Sequence, residues 1–190
     1  EVIEQPLRAA ADTDKDGLSD TEEILLDTNP SSKDSDGDGY DDGAELESLY
    51  NPAGDWQIIA NPNIKKYQNT ALSYALYYPG SWTQSNMSGS DSVMFTIGAQ
   101  QFIQIVPVTK PADVSLNDWY LTQLDQSFIP VEQIVYKEAW EGVMTEDALT
   151  YYLYKPGTDL ILTLSYNPGS GRVVNYPNIF RLMVTSLQMD

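Results

Sequence analysis

Residue patterning predicts an α+β chain: a small module of two acidic loop repeats, followed by an antiparallel sheet flanked by helices. Three observations lead there. An internal repeat with a 22-residue offset runs from residue 12 to residue 52. Apolar residues alternate in several later segments, among them Leu149-Tyr151-Leu153 and Leu160-Leu162-Leu164-Tyr166. Two stretches, from Ser115 to Leu124 and from Pro177 to Leu187, carry apolar residues at helical spacing instead.

Composition sets the outer bounds. The 190 residues suffice for one medium domain plus a small one, and 42% of them are hydrophobic, enough for a core. The formal net charge is −18, unevenly spread. Residues 1–55 hold 17 Asp+Glu against 3 Lys+Arg, whereas the rest holds 11 against 7. Such an acidic surface repels nucleic acid, so no nucleic-acid partner is expected. No run of apolar residues is long enough for a membrane span. The chain has neither cysteine nor histidine. That removes disulfides, thiolate metal sites, histidine zinc sites and histidine-dependent catalytic triads.

The repeat explains the charge. One copy reads Asp12-Thr-Asp14-Lys-Asp16-Gly17-Leu18-Ser-Asp20-Thr-Glu22-Glu23; the other reads Asp34-Ser-Asp36-Gly-Asp38-Gly39-Tyr40-Asp-Asp42-Gly-Ala-Glu45. Asn29-Pro30 and Asn51-Pro52 close the two copies at the same offset. Calcium is a hard cation that takes six to eight oxygens in irregular geometry. A twelve-residue loop wraps it when ligands fall at positions 1, 3, 5, 7, 9 and 12. The first loop offers Asp12, Asp14, Asp16, the Leu18 carbonyl, Asp20 and Glu23. The second offers Asp34, Asp36, Asp38, the Tyr40 carbonyl, Asp42 and Glu45. Position 9 often reaches the ion through water, which makes Asp20 and Asp42 the weakest candidates for direct contact. Gly17 and Gly39 stand at position 6, where the loop turns sharply and a positive φ is needed. Two Ca²⁺ ions per chain are therefore expected. Magnesium fits less well, because it demands octahedral geometry and keeps its waters. A solvated acidic linker is the plainer reading of an Asp/Gly/Ser-rich run. Matching carboxylates, glycine and Asn-Pro at one offset speak against it.

These loops resemble the EF-hand, except that the hydrophobe falls at position 7 (Leu18, Tyr40) rather than position 8. In that respect they resemble the thrombospondin type 3 repeat and its bacterial relatives of the form DxDxDGxxDxxE…TNP. The resemblance covers about residues 12–52. It implies a stiff calcium-loaded spacer in a secreted or surface-anchored protein, not a calcium sensor.

The expected organisation is a tail or linker at 1–11, the two-repeat module at 12–52, a connector at 53–66 and an α+β domain at 67–190. Ile58, Ile59 and Ile64 in the connector suggest packing between the parts. In the last segment, Ser73–Tyr78, Phe102–Val108 and Val131–Glu138 read as strands. Lys155-Pro156-Gly157-Thr158-Asp159 reads as a hairpin turn between the two alternating runs. Ser115 is a helix cap with Asp118 as its capping-box partner, ahead of an apolar face of Leu116, Trp119, Tyr120 and Leu124. Pro177 opens a second helix whose apolar face is Ile179, Phe180, Met183, Val184 and Leu187.

The segment Tyr67 to Trp82, ending Tyr78-Pro79-Gly80-Ser81-Trp82, resembles the opening of the PsbP-like family. The order of strands and helices to Asp190 is similar as well. The resemblance implies an α/β/α sandwich around an antiparallel sheet. Plant and cyanobacterial members of that family assist photosystem II.

Other residues have bland explanations. Trp82, Trp119 and Trp140 are expected in packing rather than in a ligand cage. Tyr77, Tyr152 and Tyr154 are expected as cross-strand pairs covering a sheet. Glu138, Glu141, Glu146 and Asp147 surround Trp140-Glu-Gly142, which reads as a solvated loop between strands. Asn86-Met-Ser88 matches a glycosylation sequon.

The expected function is that of a calcium-binding extracellular or cell-surface protein, in which spacer repeats carry a non-catalytic binding or structural domain. No enzyme activity is expected. Its partners would be calcium and a protein or cell-envelope component. Targeting or anchoring would come from a segment absent from this chain, because the opening Glu-Val-Ile-Glu-Gln-Pro has no basic start and no apolar stretch. Calcium is plentiful outside cells, where loops of moderate affinity fill. Two alternatives stand beside this reading. A carboxylate-dependent hydrolase needs a carboxylate pair in a deep pocket. An assembly factor like the photosystem accessory proteins needs a phototrophic setting.

Overall fold

The computed structural model describes residues 6–87, 91–98 and 100–189. Ser88 of the sequon, the first five residues of the expected tail and Asp190 lie outside them. In chain order the elements are β1 (Arg8–Ala9), α1 (Asp20–Leu26), α2 (Asp42–Glu47), β2 (Ile64–Asn69), β3 (Tyr74–Pro79), β4 (Thr83–Asn86), β5 (Val93–Ile97) and β6 (Gln101–Thr109). They continue with α3 (Leu116–Gln123), β7 (Ile134–Lys137), β8 (Trp140–Met144), β9 (Thr150–Tyr154), β10 (Leu160–Asn167), β11 (Val173–Val174), α4 (Pro177–Thr185) and β12 (Gln188–Met189).

Mixed α+β architecture with a large antiparallel sheet results. Seven strands lie in the order β4-β5-β6-β10-β9-β8-β7, and every neighbouring pair is antiparallel. A smaller sheet has the order β12-β3-β2, and β1 pairs with β11 in parallel. Period-two alternation sorts the large sheet's side chains onto two faces. Tyr151 and Leu153 of β9 and Leu162 and Leu164 of β10 join one core with α4 and β3. Tyr152 and Ile161 face the other way, where Leu116, Trp119 and Tyr120 of α3 cover them. The expected hairpin turn joins β9 to β10, pairing Leu153 with Leu162.

The helices depend on burial. The Ser115 hydroxyl accepts the Asp118 N–H at 3.1 Å and donates to Asp118 Oδ2 at 2.7 Å, which caps α3. Leu124 follows the last turn of α3 and lies partly exposed, so its expected place on the buried face is not taken up. Ile179, Phe180, Leu182, Met183 and Val184 of α4 are all buried. A helix of nine residues is marginal in water alone, so that burial, worth ~1.5–3 kcal/mol for each large side chain, is what keeps it folded.

Two strand assignments differ from expectation. Val131–Gln133 forms a 3₁₀ turn, because the Gln133 N–H donates to the Pro130 carbonyl, and the strand begins only at Ile134. Trp140-Glu-Gly142 is not a loop but the start of β8, paired on both sides. The Trp140 indole N–H donates to the Leu187 carbonyl at 3.1 Å and anchors that strand end. Gly142 admits a close neighbour there: a Cβ would stand 2.5 Å from Leu153 Cδ2. β4 and β5 had no clear signal. β4 is Thr-Gln-Ser-Asn, an exposed polar strand at the sheet edge.

The acidic module shares the main core. Leu18, Leu26 and Leu46 are buried in the same cluster as Ile58, Ile64, Tyr74 and Phe180. Of the three connector isoleucines, Ile58 and Ile64 are buried and Ile59 is exposed. Asn61 ties the joint by donating from Nδ2 to the Leu26 carbonyl (2.8 Å) and to Asn51 Oδ1 (2.9 Å). Asn51 belongs to the Asn-Pro that closes the second copy.

Candidate metal centre

The two copies repeat one another hydrogen bond by hydrogen bond. At position 1, Asp12 accepts the N–H groups of Lys15 and Gly17, and Asp34 accepts those of Gly37 and Gly39. At position 3, Asp14 accepts the Asp16 N–H and Asp36 the Asp38 N–H. At position 5, Asp16 accepts the Leu18 N–H and Asp38 the Tyr40 N–H. At position 9, both oxygens of Asp20 are engaged by the amide and hydroxyl of Thr13, each at 2.8 Å. Ser35 engages both oxygens of Asp42 in the same way, at 2.8 and 2.6 Å. Gly17 and Gly39 have φ of +105° and +98°, the positive values that position 6 requires.

These turns converge carboxylate oxygens. Asp12, Asp14 and Asp16 bring one oxygen each within 4.8 Å of one another, and Asp34, Asp36 and Asp38 do the same. Position 12 falls inside the short helices, Glu23 in α1 and Glu45 in α2. Glu23 is fully buried, and neither of its oxygens has a hydrogen-bond partner. Glu45 Oε2 and Asp14 Oδ2 are also buried without a partner. A buried carboxylate oxygen without a donor is costly unless a cation or a proton compensates it. Burial, followed by the negative charges of Asp14, Asp16, Asp20 and Asp42, pushes the Glu23 carboxyl up to about 7. Burial and the charges of Asp38, Asp36, Asp42 and Asp34 push Glu45 up to about 7 as well. Burial also raises Asp16 and Asp42. An all-oxygen donor set, part of it buried and unpaired, fits a hard divalent cation.

At position 7 the copies diverge. The Leu18 side chain is fully buried in the core, whereas the Tyr40 ring is exposed. The first loop is therefore seated on the body and the second faces solvent.

Glu22 has a role that sequence reasoning missed. Its Oε1 accepts the N–H groups of Asn178 (2.6 Å) and Ile179 (2.9 Å) in the first turn of α4. Its Oε2 accepts the Ser19 N–H and the Asn178 amide group. The available signal was Ser19-Asp-Thr-Glu22, which has capping-box spacing. That box forms at α1, and its glutamate caps α4 as well.

Trp82, Trp119 and Trp140 are buried. Tyr152 packs edge-on against Trp119 and Tyr120, and Lys110 stands over the Tyr154 ring. Tyr77 is half-buried on β3. Glu138, Glu141, Glu146 and Asp147 are exposed. Among the described residues, no helix is long and apolar enough to cross a membrane.

No protein-family model matches the chain, and no curated protein matches it. Among solved structures it is similar to the solution structure of cyanobacterial PsbP (CyanoP) from Synechocystis sp. PCC 6803, with 14% identity, coverage of 73% of this chain and 99% of that one, and a TM-score of 0.44. It is also similar to a crystal structure from Bacteroides thetaiotaomicron VPI-5482, with 13% identity, coverage of 66% of this chain and 48% of that one, and a TM-score of 0.42.

Proposed function

We propose that the chain is a calcium-binding, non-catalytic binding or structural protein that works outside the cytoplasm, each acidic loop holding one ion. The observation that carries this reading is Glu23, a fully buried carboxylate with both oxygens unpartnered, at the end of a loop whose other carboxylates converge. In the first loop Asp12, Asp14, Asp16, the Leu18 carbonyl and Glu23 would hold the ion. In the second, Asp34, Asp36, Asp38, the Tyr40 carbonyl and Glu45 would do so. Asp20 and Asp42, whose oxygens are engaged by Thr13 and Ser35, would brace the loops or act through water. A bound ion supplies the positive charge that these carboxylates lack.

The first loop is packed on the body, so loading it would stiffen the joint between Leu18, Leu26 and α4 rather than a free linker. Extracytoplasmic calcium concentrations suit loops of this type.

The test is calcium titration by calorimetry on chelator-stripped protein, with melting curves in parallel. Two ions per chain and a marked rise in melting temperature are expected. At a free concentration of about 100 times Kd, each site adds ~2.7 kcal/mol of stability. No heat and no shift would refute the reading and leave the repeats as an acidic structural segment.

A further inference from the structure

We infer that the first loop's ion takes a carboxylate from the second copy, Asp42, so that the two loops load as one coupled unit. The inference rests on the calcium reading above. Asp16, Glu23 and Asp42 bring one oxygen each within 4.8 Å of one another, although Asp42 lies in the other repeat. Glu23 and Asp42 are both fully buried. Glu23, with two buried, unpartnered oxygens, is the independent observation that points to a cation at this cluster.

The backbone holds Asp42 there. The Gly43 N–H donates to Asp16 Oδ2 at 3.1 Å. A Cβ at Gly43 would stand 2.4 Å from the Asp16 carbonyl oxygen, so the start of α2 is pressed onto the first loop, a contact that only glycine permits. Lys33 Nζ adds a second tie by donating to the Lys15 carbonyl at 2.7 Å.

Asp42 can serve both copies because a carboxylate has about four lone-pair sites, and Ser35 engages one on each oxygen. An ion in the first loop then shares the Asp42 carboxylate and neutralises charge that the second loop's ion must otherwise overcome. By linkage, filling the second loop favours the first by the same factor.

The experiment uses the full chain with its second loop disabled by Asp34→Asn, Asp36→Asn and Asp38→Asn. Calorimetric titration with calcium alone is expected to show one ion. Adding Asp42→Asn in that background is expected to weaken this ion by about tenfold, the low end of what losing one group around a bound metal costs. Adding Asp41→Asn removes the same charge one residue away and is expected to weaken it less than about twofold, as screened surface charge does. Equal effects of the two, or no effect of Asp42→Asn, would overturn the inference. So would a third ion in the wild-type chain that disappears with Asp42. If Asp42→Asn does not fold, Gly43→Ala keeps every carboxylate while forcing α2 off Asp16. It should weaken the same ion, and unchanged affinity would overturn the inference. Failure of the calcium reading itself looks different, because the wild-type chain would then give no heat at all.

Discussion

The carboxylate of Glu22 in α1 sits over the first turn of α4, where its Oε1 accepts the backbone N–H of Asn178 at 2.6 Å. α4 has no side-chain cap from its own preceding residue, Tyr176. Glu22, 156 positions before Asn178, supplies that function and also brings negative charge to the positive end of the helix. Burial raises the Glu22 pKa, and the hydrogen bonds from Ser19, Asn178 and Ile179 oppose that rise.

Replacing Glu22 by Ala leaves the N–H groups of Ser19, Asn178 and Ile179 without their buried acceptor. The expected loss is about 3 kcal/mol, read from the urea midpoint at constant m. Glu22→Gln retains an acceptor oxygen and should cost about half as much. Equal stability of all three proteins would show that the cap contributes nothing.

Calcium-free protein should grow more stable as the pH falls from about 8 towards 5. The Glu23 and Glu45 carboxyls are raised to about 7 in the fold. A raised carboxyl contributes stability that is present below its unfolded value and lost as the pH rises through its folded value. Calcium should reverse the trend in this window, because the ion needs both groups ionised. Melting temperatures across the window, with chelator and with excess calcium, test both signs.

Position 4 of each loop is left-handed: Lys15 has φ of +66° where the second copy has Gly37 at +81°. Lys15→Gly should stabilise the protein by ~0.5–1 kcal/mol, since a non-glycine residue pays a steric penalty in this region. Gly39→Ala should do the opposite by about 1 kcal/mol and weaken calcium binding, because its φ is +98° although nothing crowds a Cβ there. Thermal melts and titrations of the two variants should move in opposite directions.

Trp140→Phe removes the indole donor to the Leu187 carbonyl while keeping an aromatic ring in the core. A loss of ~1–3 kcal/mol is expected, from the orphaned carbonyl and the smaller ring. Proteolytic nicking near β12 should increase in step, since Leu187 directly precedes that strand.

Much of this architecture was legible in residue order. The β9–β10 hairpin showed in two alternating runs around a Pro-Gly turn, and α3 in a serine cap followed by Trp119 and Tyr120. Both signals are local, with periodicity and turn chemistry lying within a few residues. β4 and β8 were not legible for the converse reason. The strand character of Thr83–Asn86 and Trp140–Met144 comes from partners, not from propensity. The acidic loops were the clearest segment of all, because a 22-residue offset preserves spacing, turn glycine and closing Asn-Pro together.

Spacing along the chain, then, was enough to define two loops with their carboxylates and turn glycines in register, since ligand order within a loop is a local property. It was silent on the capping of α4 by Glu22, on the entry of Leu18, Leu26 and Leu46 into the main core, and on the meeting of Asp42 with Asp16 and Glu23. Those contacts join residues from separate elements. They exist because the body buries the apolar faces of α1 and α2, and that burial aims the loops' carboxylates at one another and at a helix end.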